Sequence, residues 1–207
     1  MNADDFRQLL AESTDAKLLG PCLTDPLVPF CFDPDPPRWN TFRSELRDDL
    51  SLDAIDDIAV VGSGRFGFSL KPGANLKAFS ERSDVDVVIV NANLFDELWH
   101  GLLRAAYPRP PILNKLGGWL GQCQKTLYTG WLIPLDIHLD SRIVGERSRA
   151  VLNLRFKWFS ALKAASRHVG RRHEDVKGRL YRTWEHAELY HLHSLSVLRH
   201  SITEVRS

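Results

Sequence analysis

The chain has 207 residues, of which 43% are apolar, 10% aromatic and 26% charged, and this composition predicts one globular domain rather than a disordered chain. No stretch approaches about 18 consecutive apolar residues and the first ten residues are acidic, so we expect neither a membrane span nor a secretory signal. The three cysteines lack metal-site spacing and favour a reducing, cytoplasmic setting.

The net charge of +1 conceals an uneven distribution along the chain. Residues 1–141 hold 13 Lys and Arg against 20 Asp and Glu, whereas residues 142–207 hold 14 against 6 and six of the eight histidines. We expect residues 1–145 to form a core with N-terminal helices, and residues 146–207 to form a basic helical segment packed on it. That segment either attracts phosphate-bearing ligands or presents a solvated helix face to the acidic body.

Hydrophobic periodicity predicts an α+β chain with strands first and helices last. Helical spacing is found at residues 3–19, 39–50, 93–106, 146–169 and 174–205. Runs typical of strands are found at residues 58–61, 85–90 and 132–139. The predicted architecture is a short mixed β-sheet flanked by helices, with a C-terminal helical segment.

A glycine-rich turn follows the first predicted strand, with the sequence Gly-Ser-Gly-Arg-Phe-Gly at residues 62–67. It fits the dinucleotide-binding fingerprint and also a Gly-Ser turn whose backbone N–H groups approach a phosphate. A dinucleotide turn opens a long helix, but here Pro72 and Gly73 interrupt one, and the acids that follow come at the start of their strand. The phosphate-cradling interpretation is therefore favoured.

Asp84 and Asp86 stand two residues apart at the start of the second strand. Because side chains alternate along a strand, both carboxylates are expected on one face, with Val85 and Val87 on the other. Two like charges this close raise each other's pKa unless a cation neutralises them. Mg²⁺ prefers such carboxylate oxygens, with substrate phosphates completing its shell.

A third acid is expected from residues 135–140, at the end of the third predicted strand, where apolar and polar residues alternate strictly. Asp136, His138 and Asp140 are predicted to share one face of that strand. Asp136 is the preferred third ligand because it lies within the strand between apolar neighbours. Asp140 is the alternative, although its place near the strand end also suits a turn cap.

Taken in order, the Gly62-Ser63 turn, the Asp84 and Asp86 pair and Asp136 resemble the signature of the DNA polymerase β-like nucleotidyltransferase superfamily. The resemblance covers roughly residues 55–140 and is closest to small stand-alone bacterial members of antitoxin or antiphage type. It implies the nucleotidyltransferase fold, in which Gly62 and Ser63 hold the triphosphate and the three aspartates bind Mg²⁺ or Mn²⁺.

Further nucleotide-binding candidates lie within and after the turn. The basic candidates, Arg65, Lys71 and Arg82, either neutralise the triphosphate or face solvent. Ser83 either orients Asp84 or caps its turn. Gly67 completes the glycine pattern. The segment between Gly67 and Asp84 is longer than in the most compact members of the superfamily. These candidates are Arg65, Gly67, Lys71, Arg82 and Ser83.

The predicted function is transfer of a nucleoside monophosphate from an NTP or dNTP to a hydroxyl acceptor, with release of pyrophosphate. The acceptor is a nucleotide or oligonucleotide, an RNA end or a protein, and the resemblance implies a nucleotide signal in antiphage defence or a partner effector or toxin protein. The alternatives are a catalytically silent nucleotide- or partner-binding module of the same fold and a dinucleotide-binding protein. A basic cluster that would suit an RNA track comprises Arg167, Arg171, Arg172, His173, Lys177, Arg179 and Arg182.

Overall fold

The structure is a computed structural model that describes residues 2–33, 35–106, 117–139, 149–170 and 175–204. The described residues form eight α-helices and one four-stranded mixed sheet, which confirms the α+β class. In the described ranges no helix has the length and apolar character needed to cross a membrane. The helices are α1 (Ala3–Glu12), α2 (Asp15–Leu19), α3 (Pro36–Leu50), α4 (Ser63–Phe66), α5 (Ala92–Ala106), α6 (Gly117–Tyr128), α7 (Arg149–Val169) and α8 (Trp184–Glu204).

The sheet has the spatial order β1-β2-β4-β3. Strand β1 (Ile58–Val61) pairs antiparallel with β2 (Val85–Val90), and β2 pairs in parallel with β4 (Val176–Tyr181). Strand β3 (Trp131–Leu132) pairs antiparallel with β4. The two central strands are therefore β2 and β4, which are distant in sequence but adjacent in the sheet.

The two faces of the sheet meet different helices. One face contributes Val85, Val87 and Leu180 to the main core, where α3, α5 and α7 cover it. The opposite face carries a smaller apolar cluster that includes Val88 and Tyr181, which is packed against α8. Because this cluster is small, α8 does not cover the part of the second face that lies beside Asp86.

The expected helix over residues 174–205 is wrong for residues 176–181, which form β4. Val176, Gly178 and Leu180 are buried, whereas Lys177 is exposed and Arg179 is partly exposed. This alternation with period two is the pattern of a strand with one apolar face. The basic C-terminal segment therefore contributes a central strand of the sheet as well as two helices.

The expected strand over residues 132–139 is also wrong beyond Leu132. Pro134 lacks an N–H group for the ladder, and it begins a 3₁₀ turn that ends at Asp136. Burial still alternates after the turn, with Ile137 buried and His138 exposed. Asp140 lies outside the described residues.

The N-terminal helices pack against the C-terminal helix. A separate apolar cluster joins Phe6 and Leu10 of α1 to Leu195 and Leu198 of α8. Arg199 of α8 adds polar contacts, since it donates hydrogen bonds to main-chain carbonyls and to the carboxylate of Asp15. The two ends of the described chain are thereby held together.

Candidate functional site

The aspartate pair lies at the start of β2, as predicted. Asp86 belongs to β2 and Asp84 precedes the strand by one residue. Val85 and Val87 are 0% and 1% exposed on the opposite face, while Asp86 is exposed. The alternation expected from the sequence is therefore present, and both carboxylates belong to the second face of the sheet.

The glycine turn begins beside the aspartate pair. Val61, the last residue of β1, lies opposite Asp86 in the register of the sheet. Gly62 follows it with φ = 62°, a conformation that glycine adopts without strain. A Cβ atom at Gly62 would lie 3.8 Å from Oδ2 of Asp86, so the turn brings its backbone close to that carboxylate.

A cavity of about 760 Å³ opens on this part of the molecule. Its polar wall includes Gly62, Lys71 and Asp86, and Asp136 lines it as well. Its apolar wall comes partly from α8, through residues such as Leu195. The volume lies within the range of small-molecule sites, which are mostly apolar with a few convergent polar groups.

The two carboxylates of the pair have different surroundings. Nζ of Lys177 lies 2.5 Å from Oδ2 of Asp84, and both side chains remain partly exposed. Asp86 borders the cavity, and partial desolvation by neighbouring protein atoms raises the pKa of its carboxyl group. The positive charge of Arg179 opposes this rise, whereas the negative charge of Asp84 adds to it. Asp86 is therefore the carboxylate that gains most from an added cation.

Sequence reasoning missed the position of two basic residues of the site, Lys177 and Arg179. Lys177 lies opposite Asp86 and Arg179 opposite Val88 in the parallel ladder between β2 and β4. Both line the cavity with Asp86. The alternating run Val-Lys-Gly-Arg-Leu-Tyr was the signal that could have placed them on a strand.

Asp136 lies on the 3₁₀ turn after β3 and is exposed. It lines the same cavity as Asp86, but the two do not form a compact ligand set with Asp84. In the part of the chain that the structure describes, no group of three or more His, Cys, Asp or Glu side chains is arranged to hold a metal ion. The predicted three-aspartate centre is therefore not assembled in this structure.

The remaining pair still fits a divalent cation. Mg²⁺ commonly binds through one or two carboxylates and completes its shell with waters and substrate phosphates. Asp84 and Asp86 supply two hard oxygen ligands on one face, and a bound cation would lower the pKa of Asp86, which its protein surroundings raise. Lys177 already neutralises part of this charge through Asp84.

Arg65, a predicted nucleotide contact, is directed into the protein interior. Its side chain is buried, with 7% of the residue exposed. Nε donates a hydrogen bond to the carbonyl oxygen of Pro21, and Nη2 donates one to that of Asp25 at 2.7 Å. The guanidinium thus satisfies two carbonyl groups of the segment that follows α2 and links that segment to α4.

The other candidates of the turn region have differing positions. Lys71 lines the cavity and is exposed, as a phosphate-binding residue requires. Arg82 is exposed but is not part of the cavity wall. Oγ of Ser83 accepts a hydrogen bond from the N–H of Ser80 at 3.0 Å, so Ser83 caps the turn that precedes Asp84.

Two further turn residues also lie outside the cavity wall. Ser63 begins α4, and its carbonyl oxygen accepts a hydrogen bond from the N–H of Gly67 at 2.9 Å. Gly67 has φ = 83°, and a Cβ atom there would lie 2.8 Å from the ring of Phe30. Of the glycines in this turn, Gly62 borders the cavity whereas Gly67 ends α4.

Three of the basic residues expected to form an RNA track, Arg167, Lys177 and Arg182, form separate ion pairs instead. Arg167 pairs with Glu45 at 2.6 Å, and Arg182 pairs with Asp96 at 2.9 Å. Residues 171–173 lie outside the described residues. The described members of the cluster therefore present no continuous basic stripe.

Comparison with known proteins adds no homologue to this description. No protein-family model, curated protein or solved structure matches the chain.

Proposed function

We propose that the chain is a nucleotidyltransferase that moves a nucleoside monophosphate from an NTP or dNTP to a hydroxyl acceptor. The observation that carries the proposal is the meeting of Gly62 and Asp86 at one cavity that also presents Lys71. A glycine backbone beside a carboxylate, with a lysine in reach of the same space, suits a cation-bound phosphate chain. The order of motifs resembles the DNA polymerase β-like superfamily, which supports the same reaction.

In the proposed reaction each residue of the site would have a distinct role. Asp84 and Asp86 would hold Mg²⁺ or Mn²⁺, which supplies positive charge to the phosphates and lowers the pKa of an acceptor hydroxyl. Gly62 lacks a side chain and leaves space for the phosphates beside Asp86. Lys71 would attract the phosphate chain, and Asp136 would face the bound nucleotide across the cavity opening it lines.

The proposal extends to the acceptor and the biological setting. The acceptor is a nucleotide or oligonucleotide, an RNA end or a protein hydroxyl, and the product in the first case is a nucleotide signal of antiphage defence. Support for this setting comes from the resemblance of the motifs alone. Mass analysis of the products separates the three classes, since protein modification raises the mass of the protein whereas the others release or extend nucleotides.

A catalytically silent nucleotide-binding module is the second candidate. The ion pair between Lys177 and Asp84 favours it, because an ammonium group already occupies one carboxylate of the pair. The absence of a three-carboxylate group among the described residues favours it as well. Such a module would bind nucleotide without turnover.

Pyrophosphate release, measured with each NTP or dNTP and Mg²⁺ or Mn²⁺, distinguishes the nucleotidyltransferase from the silent module. We expect release by the wild type and a loss of at least about 100-fold in Asp84→Asn and Asp86→Asn, because each removes a negative ligand of the cation. Asp96→Asn is the matched control, since Asp96 pairs with Arg182 away from the cavity. Release by neither wild type nor control, with nucleotide binding retained, would establish the silent module.

A further inference from the structure

Arg179 is held by aromatic side chains on the second face of the sheet. Its guanidinium carbon lies 4.7 Å from the ring centroid of Trp131 and 4.4 Å from that of Tyr190. Nη1 lies 3.2 Å from the hydroxyl of Tyr181. Stacking on two rings fixes the plane of a guanidinium and restricts its rotamers, so the orientation of Arg179 is defined before any ligand arrives.

Arg179 forms no direct ion pair with a carboxylate among the described residues, although its charge acts on Asp86 at longer range. The nearest basic residues in the sequence do form ion pairs, since Lys177 pairs with Asp84 and Arg182 pairs with Asp96. The Nε atom of Arg179 is buried and has no hydrogen-bond partner in the described structure. A partly buried cation without a direct ion pair is costly, and an anionic ligand in contact with it would relieve that cost.

Arg179 also borders the cavity that Asp86 lines. Lys71 and His191 line the same space. Burial and the nearby Arg179 lower the pKa of His191 to about 4, so the imidazole is neutral near pH 7 and does not add to the positive charge. The positive groups of this wall are thus Arg179, Lys71 and the already paired Lys177.

The ligand must tolerate acidic groups in the same cavity. Asp86 and Asp136 line it and would repel a bare anion. A phosphate chain bound together with a divalent cation meets both requirements, because the cation offsets the carboxylates while phosphoryl oxygens remain for Arg179. A planar guanidinium can donate two parallel hydrogen bonds to such oxygens.

We propose that Arg179 binds the phosphate chain of the nucleotide and holds it against the Asp84 and Asp86 pair. This inference rests on the proposed function, and it gives Arg179 the role that the sequence had suggested for Arg65. The nucleoside contributes little to this contact, so inorganic tripolyphosphate should occupy the same place as the nucleotide's own phosphates.

Calorimetry with two probes tests the assignment, each in the presence of Mg²⁺: inorganic tripolyphosphate and α,β-methylene-ATP. In Arg179→Met we expect the affinity for both probes to fall at least about tenfold, because charge-assisted hydrogen bonds to phosphate are lost. Arg179→Lys should be intermediate, since an ammonium group keeps the charge without the planar fork. Arg182→Met is the matched control and should stay within about twofold, because exposed ion pairs contribute little.

Ser194→Glu supplies a test from a second element, with Arg179 intact. Ser194 lies on α8 and lines the same cavity, so a carboxylate there should weaken both probes by repelling phosphate. Circular dichroism and the melting temperature identify any variant that fails to fold, and Ser194→Glu tests whether phosphate binds in this cavity while the sequence of β4 is unchanged.

The outcomes separate this inference from the proposed function. Wild-type affinity in folded Arg179→Met, or no binding of tripolyphosphate to the wild type, overturns the role of Arg179 even if pyrophosphate is released. Arg179-dependent binding of both probes without pyrophosphate release leaves the phosphate site in place and overturns the transferase.

Discussion

Two arginines show how the surroundings of a residue decide its role. Arg65 and Arg179 both lie near the candidate site in the fold, and both are at least partly buried. Arg65 donates to two backbone carbonyls, so its hydrogen-bonding capacity is used inside the protein. Arg179 is framed by aromatic rings and borders a cavity. Sequence alone offered no means to separate them, because these environments come from distant parts of the chain.

His191 makes the stability of the fold depend on pH. Burial lowers the pKa of its imidazole from the ordinary value near 6.5 to about 4, and the charge of Arg179 adds to this effect. Because the folded pKa lies below the unfolded one, the stabilising contribution is complete above pH 6.5 and is lost as the pH falls towards 4. The loss should amount to about 3 kcal/mol at most.

Urea denaturation of the wild type and of His191→Gln at pH 7, 6, 5 and 4 measures this contribution. We expect the wild type to lose more free energy of unfolding than His191→Gln between pH 6.5 and 4. Glutamine cannot be protonated in this range, so groups that titrate in both proteins cancel in the comparison. Equal pH profiles for the two proteins would contradict the prediction.

At the scale of elements, the sequence predicted β1, β2 and the aspartate pair because each depends on local pattern. A run of apolar residues that ends in a glycine turn identifies β1, and β-branched residues identify β2. Strand β4 was predicted as part of a helix over residues 174–205 because helical spacing dominates that stretch of sequence. Its strand pairing depends on β2, about 90 residues earlier in the chain, which no local pattern records.

The third aspartate illustrates a different limit of sequence reasoning. Alternation around Asp136 was correctly recognised as a pattern of burial, with Ile137 buried and His138 exposed. The strand itself ends at Leu132, since Pro134 removes a ladder donor and starts a 3₁₀ turn. Alternating burial therefore persisted without the strand pairing that would have brought Asp136 to the other two acids.

Gly178 allows β4 to approach α7 closely. A Cβ atom at this position would lie 2.7 Å from Cζ2 of Trp158 and 3.1 Å from Cδ1 of Leu162. Both side chains are almost completely buried and have little room to move. Gly178→Ala should therefore lower the free energy of unfolding by about 1–3 kcal/mol through overpacking.

A double-mutant cycle with Trp158→Phe tests the cause of that loss. The smaller ring removes the contacting atoms, so adding Gly178→Ala to Trp158→Phe should cost less than adding it to the wild type. Denaturant titration of the four proteins gives the coupling free energy. Additive losses would show that the effect of alanine arises elsewhere.

At the scale of the whole molecule, Arg199 joins the N-terminal helices to the last helix. Nη2 donates to the carbonyl oxygen of Ser13 at 2.7 Å and to Oδ1 of Asp15 at 2.6 Å, and Nη1 donates to the carbonyl oxygen of Leu10. These contacts lie beside the apolar cluster that includes Phe6 and Leu195. Polar and apolar contacts therefore act on the same junction.

Arg199→Met should loosen α1 and α2 without disrupting the sheet. We expect the free energy of opening measured by amide hydrogen exchange to fall by about 2–3 kcal/mol in these helices, because several charge-assisted hydrogen bonds are lost together. Arg7→Met is the control, since Arg7 pairs with the exposed Asp4 and should have almost no effect. Unchanged exchange in α1 and α2 would contradict a role for Arg199 at this junction.

Strand β4 comes late in the chain although it lies at the centre of the sheet, between β2 and β3. During translation, the amide and carbonyl groups at one edge of β2 therefore stay unpaired until some 90 further residues have been synthesised. A chain cleaved ahead of residue 175 would retain β1 and β2 but expose that bare edge, which favours aggregation through strand pairing between molecules. Proteolytic trimming of the C-terminal part would thus threaten solubility as well as the candidate site.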